Sequence, residues 1–384
     1  MKRLIFSVLL LLLTSCFFTL PKANAAENPL RVPNNKVGIH ILFPDELEKA
    51  AALVNSNGGD WGYVVIPIQA GDKNLVKWQE FMDKAKKLHL IPIIRLATEG
   101  DYFNTRVWRV PTPADVLDFA NFLNSLSWPI KNRYVIVFNE VNRGDEWGGN
   151  ADPVAYAKLL SYAATAFKNR SEDFFIISSG MDNAAATTDT SMNEYEYFTK
   201  MVQTVPGIFS QIDGMASHSY PNPAFAQPPT YLAKTSIVSF QYEKNLIQSY
   251  SSKDLPVFIT ETGWAQDVVG ESKAASYLST ALQTVWNTDS VAVVAPFLLQ
   301  AGGGPFTGFS FFNLSGQPNA VYGAMKNLVK VKGAPVVTPQ SVLAANIVLG
   351  NIPSENFPAP VQSTFATQFE MGFKKVFKVL LGVK

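Results

Sequence analysis

A chain of 384 residues with 47% apolar and 16% charged side chains can bury a large core and is too apolar for a disordered polymer. Its 32 basic and 31 acidic side chains nearly cancel, and no basic cluster interleaved with aromatics is present, which excludes a nucleic-acid partner. The aromatic share of 12% is generous, and aromatic faces are surfaces on which sugars stack.

Residues 1–25 are predicted to be a secretion signal. Lys2 and Arg3 precede an apolar run over 4–20, and Ala23-Asn24-Ala25 forms a small-residue cleavage site. The expected location is therefore secreted or extracytoplasmic. A competing reading takes Leu13-Thr14-Ser15-Cys16 as a lipobox with Cys16 lipidated, which would anchor the protein to a membrane. Phe17 and Phe18 argue against it, because a lipoprotein usually continues from its Cys into a polar tether. A retained anchor helix ranks third, since the apolar stretch is short for a span. Cys16 is the sole cysteine, so a mature chain from Ala26 has no disulfide and rests on its core.

From residue 37 a short apolar run alternates with a longer amphipathic stretch. The runs are "VGIHILF" (37–43), "WGYVVIPIQ" (61–69), "IPIIRLA" (91–97), "RYVIVFNE" (133–140), "FFIISSG" (174–180), "GMASHSY" (214–220), "PVFITETGW" (256–264) and "VAVVAPFLL" (291–299). They are β-branched or aromatic with little in–out alternation, as parallel strands buried on both faces should be. Helical periods lie between them. The one beginning near Asn74 carries Leu75, Val76, Phe81, Met82 and Leu88 as its apolar residues. Two others start at Thr112-Pro113 and Asp152-Pro153, each an N-cap followed by Pro at the first helical position. Eight such units within 26–332 predict an α/β fold of the (β/α)8 TIM-barrel type. An open doubly wound sheet is the alternative, disfavoured because no Gly-rich phosphate turn follows a strand. Residues 333–384 are predicted to be a C-terminal extension: a Pro- and Ala-rich linker, then an amphipathic helix with Phe369, Phe373, Val376, Phe377 and Leu380 on one face. Lys374, Lys375 and Lys378 flank that face, so the helix either docks on its own domain or makes peripheral membrane contact.

In a (β/α)8 barrel the C-terminal strand ends share one mouth, where the chemistry takes place. The polar residues at those ends are His40, Gln69, Arg95 with Glu99 beyond it, Asn139-Glu140, Asp182-Asn183, His218-Ser219-Tyr220, Glu261 and Gln300. Strands four and seven, across the mouth from one another, each present a glutamate. Two such carboxyls suit glycoside hydrolysis, in which one protonates the leaving oxygen and the other attacks the sugar or activates water. Three dispersed histidines without an HExxH motif give no zinc site, no GxSxG elbow is present, and no cofactor is expected.

Asn139-Glu140 after strand four, "TETGW" (260–264) after strand seven and "HSYPNP" (218–223) on strand six resemble the large clan of retaining (β/α)8 glycoside hydrolases, clan A. The resemblance runs from about residue 37 to 330 and rests on joint placement, each motif being weak alone. It implies a carbohydrate substrate, Glu140 as general acid/base, Asn139 on the sugar 2-hydroxyl, Glu261 as nucleophile and the His218/Tyr220 segment against that nucleophile. Two features depart from the pattern. Strand two ends in Ile68-Gln69 where an Arg is usual, and the Trp common after strand eight is missing, which leaves Phe297, Phe306 or Phe309 as a sugar platform. Trp147 and Trp264 are expected as stacking walls, His40 and Arg95 as lining or floor, and Trp61 and Trp286 as core. Asp145 and Glu146 are expected to be solvated or substrate-contacting. A reading from another class is a non-catalytic carbohydrate-binding or cell-surface protein on a degenerate barrel, which would need neither glutamate.

Overall fold

The computed structural model describes residues 25–98 and 107–338. The signal segment with Cys16, the loop residue Glu99 and the C-terminal amphipathic helix lie outside the described residues. Among the described residues no helix is long and apolar enough to cross a membrane.

Each apolar run forms a parallel strand: β1 (Gly38–His40), β2 (Gly62–Gln69), β3 (Leu90–Ala97), β4 (Arg133–Ile136), β5 (Phe174–Ile177), β6 (Met215–His218), β7 (Val257–Glu261) and β8 (Val291–Val294). Strands β1 to β5 pair in sequence order, as do β6 to β8. Parallel bridges close both seams, Ile177 with Gly214 between β5 and β6, and Val37 with Val294 between β8 and β1. Apart from β3, which starts one residue earlier at Leu90, the strands are shorter than the apolar runs.

Helices α1 (Leu47–Val54), α2 (Leu75–Lys87), α3 (Pro113–Ser125), α4 (Pro153–Lys168), α5 (Glu194–Thr204), α6 (Ser239–Tyr250), α7 (Glu271–Gln283) and α8 (Ala320–Asn327) alternate with them. Both expected caps form. The Thr112 hydroxyl accepts from Asp115 N at 3.3 Å while the Asp115 carboxylate accepts from Thr112 N at 2.7 Å, and Asp152 accepts from Val154 N and Ala155 N. In α2 the buried face is Trp78, Phe81, Met82 and Ala85, at helical spacing i, i+3, i+4, i+7. Of the other apolar residues in the stretch, Leu75 and Val76 are exposed.

Period-two geometry then sorts the strand residues. Val64, Ile66 and Ile94 face the helices, whereas Tyr63, Val65, Ile91, Ile93, Tyr134, Ile136, Phe175, Ile177 and Phe258 fill the barrel interior. With both faces covered, alternation of polarity disappears from the sequence even though the alternation of direction remains. Burial of one such side chain is worth about 1.5–3 kcal/mol. The first residues of the extension lie across the opposite end of the barrel. Val337 bridges Ile130, and Lys131 N donates to Val336 O at 2.8 Å.

Candidate active site

Continuing the inward register one step beyond the apolar layers reaches the mouth. On β3 the series Ile91, Ile93 continues to Arg95, on β6 Ala216 leads to His218, and on β1 Gly38 leads to His40. Polar strand-end residues therefore point into the barrel rather than onto loops. Glu261 needs one further device. Strict alternation from the inward Phe258 would aim Thr260 inward and Glu261 outward. The register between β6 and β7 shifts there, with Ser217 opposite Ile259 but His218 opposite Glu261, and this turns Glu261 in beside His218.

Both Glu261 oxygens accept hydrogen bonds. Arg95 Nη1 donates to Oε1 at 2.9 Å and the Tyr220 hydroxyl donates to Oε2 at 3.1 Å. Burial, together with the Glu261 charge, pushes the Tyr220 phenol well above its ordinary range, so it remains a donor. His40 is fully buried beneath the carboxylate, with Nε2 3.7 Å from Oε1, beyond hydrogen-bond distance. Burial, reinforced by Arg95 and His218, lowers its pKa well below the usual value and keeps it neutral. His40 is thus a floor residue packed edge-on to Phe297 at 5.1 Å, and it does not line the cavity.

Glu140 reaches the mouth through a sharp turn. Strand β4 ends at Ile136, and Phe138 (φ +68°) and Glu140 (φ +32°) take up left-handed backbone. Such conformations cost about 1–3 kcal/mol and persist where the surroundings hold them. Here Val137 N donates to Ile177 O at 3.0 Å and Glu140 N to Gly180 O at 3.0 Å. The Glu140 side chain meets His218 Nδ1 at 2.9 Å through Oε1 and Arg143 Nη1 at 3.5 Å through Oε2. His218 Nδ1 also lies 3.8 Å from Glu261 Oε2, so this ring sits between the two carboxylates. Burial pulls its pKa down, but the charges of Glu261 and Glu140 overcome that and raise it. Gly180 leaves room for the ring. A Cβ there would fall 2.2 Å from His218 Cδ2 and 2.5 Å from Nε2.

The cavity above these residues, of about 290 Å³, has two unlike walls. One is charged, with Arg95, Glu140, Arg143, Glu146, Asp182 and Glu261. The other is aromatic, with Phe225, Phe297, Phe306 and Phe309 beside Tyr220, and Phe225 and Phe306 are exposed. The phenylalanines expected to replace a strand-eight Trp therefore do reach the cavity. Asn139 lines it too, with its Oδ1 buried and without a partner.

The two expected tryptophan walls need correction. Trp264 is buried in the core, donating to Gln227 O at 2.7 Å and packing 6.0 Å from Trp286, and it does not line the cavity. Trp147 borders the cavity, but it is only 1% exposed and wedged edge-on between Phe138 and Tyr156, so no face is open for stacking. The turn after Glu261 carries the Trp264 ring away from the mouth, and the turn after Glu140 packs the Trp147 ring edge-on at its border. Trp61 and Trp286 are buried as expected. Trp108, Arg143, Phe225 and Gly180 went unassigned in the sequence reading. The sequence distance between the end of β3 at Ala97 and the start of α3 at Pro113 was the available signal for Trp108, since long inter-element segments at a barrel mouth tend to carry function.

One ligand atom each from Glu140, His218 and Glu261 lie within 4.8 Å of one another, a spacing a cation can use. The electrostatics oppose that use. His218, with its raised pKa, already faces Glu140, and the Arg95 guanidinium already neutralises Glu261. The donor set is better suited to a neutral, hydroxylated ligand than to an ion.

No family model matches the sequence, and no curated protein does. Solved structures do resemble it. A family 39 glycoside hydrolase from Bacteroides cellulosilyticus WH2 superposes with a TM-score of 0.55 at 18% identity over 78% of this chain, which spans 64% of that protein's length. A GH39 β-xylosidase from Caulobacter crescentus gives 0.55 at 18% identity, with 79% and 72% of the two chains covered. Fungal β-1,4-galactanases give 0.54 at 17% identity, with 77% and 100% covered. At this identity the likeness speaks to architecture, and the individual family is not resolved. The chain shares the (β/α)8 fold of these glycoside hydrolase structures.

Proposed function

We propose that the protein is a retaining glycoside hydrolase acting on an oligo- or polysaccharide, with Glu261 as nucleophile and Glu140 as acid/base. One observation carries the reading. Carboxylate oxygens of Glu140 and Glu261 approach within 4.8 Å across the mouth. Retaining enzymes hold the two carboxyl groups about 5–5.5 Å apart, whereas inverting ones leave about 6.5–9.5 Å for a water molecule. The partners of each group fit the division of labour. Glu261, accepting from Arg95 and Tyr220, is oriented to attack the anomeric carbon. Glu140 protonates the departing oxygen and then takes the proton from water. His218, hydrogen-bonded to it, holds the carboxyl at the junction. Asn139 offers its unpartnered oxygen to a sugar hydroxyl, and the phenylalanine wall takes the apolar face of the ring.

The substrate panel follows from the neighbours, which include a xylosidase, galactanases, a glucosidase and a hydrolase in complex with Manβ1-4GlcNAc. Aryl β-glycosides of xylose, glucose, galactose and mannose, with the corresponding disaccharides, are to be assayed. The 2-deoxy-2-fluoro analogue of the substrate turned over is then incubated with the enzyme. Mass spectrometry is expected to find one sugar on the peptide containing Glu261. Turnover with no adduct there would overturn the assignment. We further propose an extracytoplasmic enzyme cleaved after Ala25, which amino-terminal sequencing of the mature protein checks against a lipidated Cys16.

A further inference from the structure

The cavity contains a carboxyl that the catalytic scheme leaves unused. Glu146 lies on the turn after β4, half-buried, and lines the same cavity as Glu140 and Arg95. The other charged side chains around that cavity have protein partners. Arg95 is held by Glu261, Arg109 by Asp115, Glu140 by His218, and Arg143 lies against both Asp145 and Asp182. Among the described residues the Glu146 carboxyl has neither a hydrogen bond nor an ion pair. Its neighbour Asp145 takes the Arg143 fork at 2.6 and 3.0 Å, which leaves Glu146 without a counter-ion.

The turn that carries it is pinned rather than loose. Trp108 N donates to Asp145 O at 2.7 Å, Gly148 N to Trp108 O at 2.7 Å and Trp147 N to Gly144 O at 3.1 Å. Burial pushes the Glu146 carboxyl up to about 7. The charged groups facing it are Glu140 from the end of β4, Arg95 from β3, and Asp145 and Arg143 from its own turn. The two carboxylates add to the upward shift and the two guanidinium groups oppose it.

We propose that Glu146 is a substrate-contacting, specificity-determining residue whose unpartnered carboxyl hydrogen-bonds a hydroxyl of the sugar held against Glu140. The inference deepens the glycosidase reading and rests on it. A protonated carboxyl offers one donor and further acceptor capacity, matching a sugar hydroxyl, whereas an ionised one only accepts. A site built this way favours neutral sugars and rejects one with a carboxylate at that position, where two negative groups would meet.

The test measures binding of xylobiose, cellobiose, β-1,4-galactobiose and Manβ1-4GlcNAc by isothermal titration calorimetry. It uses the full chain carrying Glu261→Gln to block turnover, with and without Glu146→Gln or Glu146→Ala, at pH 5.5 and 8.5. Affinity with Glu146 present is expected to fall roughly tenfold across that interval, while Glu146→Gln, whose amide donates at both pH values, stays within about twofold. Glu146→Ala is expected to weaken binding roughly tenfold at pH 5.5. The three proteins differ only at position 146, so the difference between profiles belongs to Glu146. If a disaccharide binds and the three profiles coincide, this inference is overturned and the glycosidase reading stands. If the wild type turns over no aryl glycoside and no disaccharide binds, the reading falls and the inference falls with it.

Discussion

Two pairs of glutamates are gathered around β6, and they have opposite characters. Glu140 and Glu261 face the cavity and are matched with His218, Arg95, Tyr220 and Arg143. Glu194 and Glu243 are sealed behind the strand, on the packed helices α5 and α6, with 0% and 1% exposure. Glu243 Oε1 accepts from the Ser217 hydroxyl at 2.8 Å, while Glu243 Oε2 and both Glu194 oxygens have no partner. Burial raises both pKa values, that of Glu243 to about 7, and for Glu243 the Ser217 hydrogen bond and the charge of His218 offset it only in part. A glutamate's task here is set by the donors it is given and by whether it faces a cavity, not by its being a glutamate.

Five substitutions test the comparison, from the largest expected effect to the smallest. Glu261→Ala should cost on the order of 10⁴-fold or more in kcat/KM, and Glu140→Gln about 10²–10⁴-fold, with circular dichroism unchanged. Activity assays on the substrate found above decide this, and comparable activity in either variant would dissolve the distinction between the pairs. For the hidden pair the readout is stability against pH. The Glu243 carboxyl has its folded pKa raised from 4.5 to about 7, so the folded chain binds the extra proton between those values and stability falls as pH rises through the interval. His218 acts in the same direction, since its raised pKa contributes stability that is present below the unfolded value and lost as pH rises through the folded one. Glu243→Gln should therefore remove on the order of 3 kcal/mol of that fall, measured by urea denaturation at pH 5 and pH 8, while the catalytic pH profile keeps its shape.

Gly180→Ala tests how the mouth is assembled. Its Cβ would collide with the His218 ring, so a stability loss of about 1–3 kcal/mol should accompany a drop in activity. Thr112→Ala is far from both pairs and should cost about 1 kcal/mol through the lost cap of α3, with kcat/KM unchanged. Thermal unfolding and steady-state kinetics on the same preparations check both.

Much of the fold was legible from local pattern. Runs such as 61–69 and 91–97 are strands because unbroken β-branched stretches suit a sheet covered on both faces, and Thr112 and Asp152 start helices because their oxygens accept otherwise unpaired amides. Trp264 was misjudged for the same local reason. Its closeness in sequence to Glu261 suggested closeness to the mouth, but the turn between them sends the ring into the core beside Trp286. Glu146 and Asp145 are adjacent in sequence and fare differently, because only one of them finds an arginine.

The sequence by itself determined that polar side chains, two glutamates among them, stand at the ends of eight apolar runs. Tertiary structure alone decided which of them meet. Arg95 and Glu261 are 166 residues apart in the chain and 2.9 Å apart in the barrel. Glu261 points inward only because the β6–β7 register slips by one residue beside His218. Strand direction and capping are settled within a few residues of chain. The donors around a carboxylate come from strands that become neighbours only when the barrel closes.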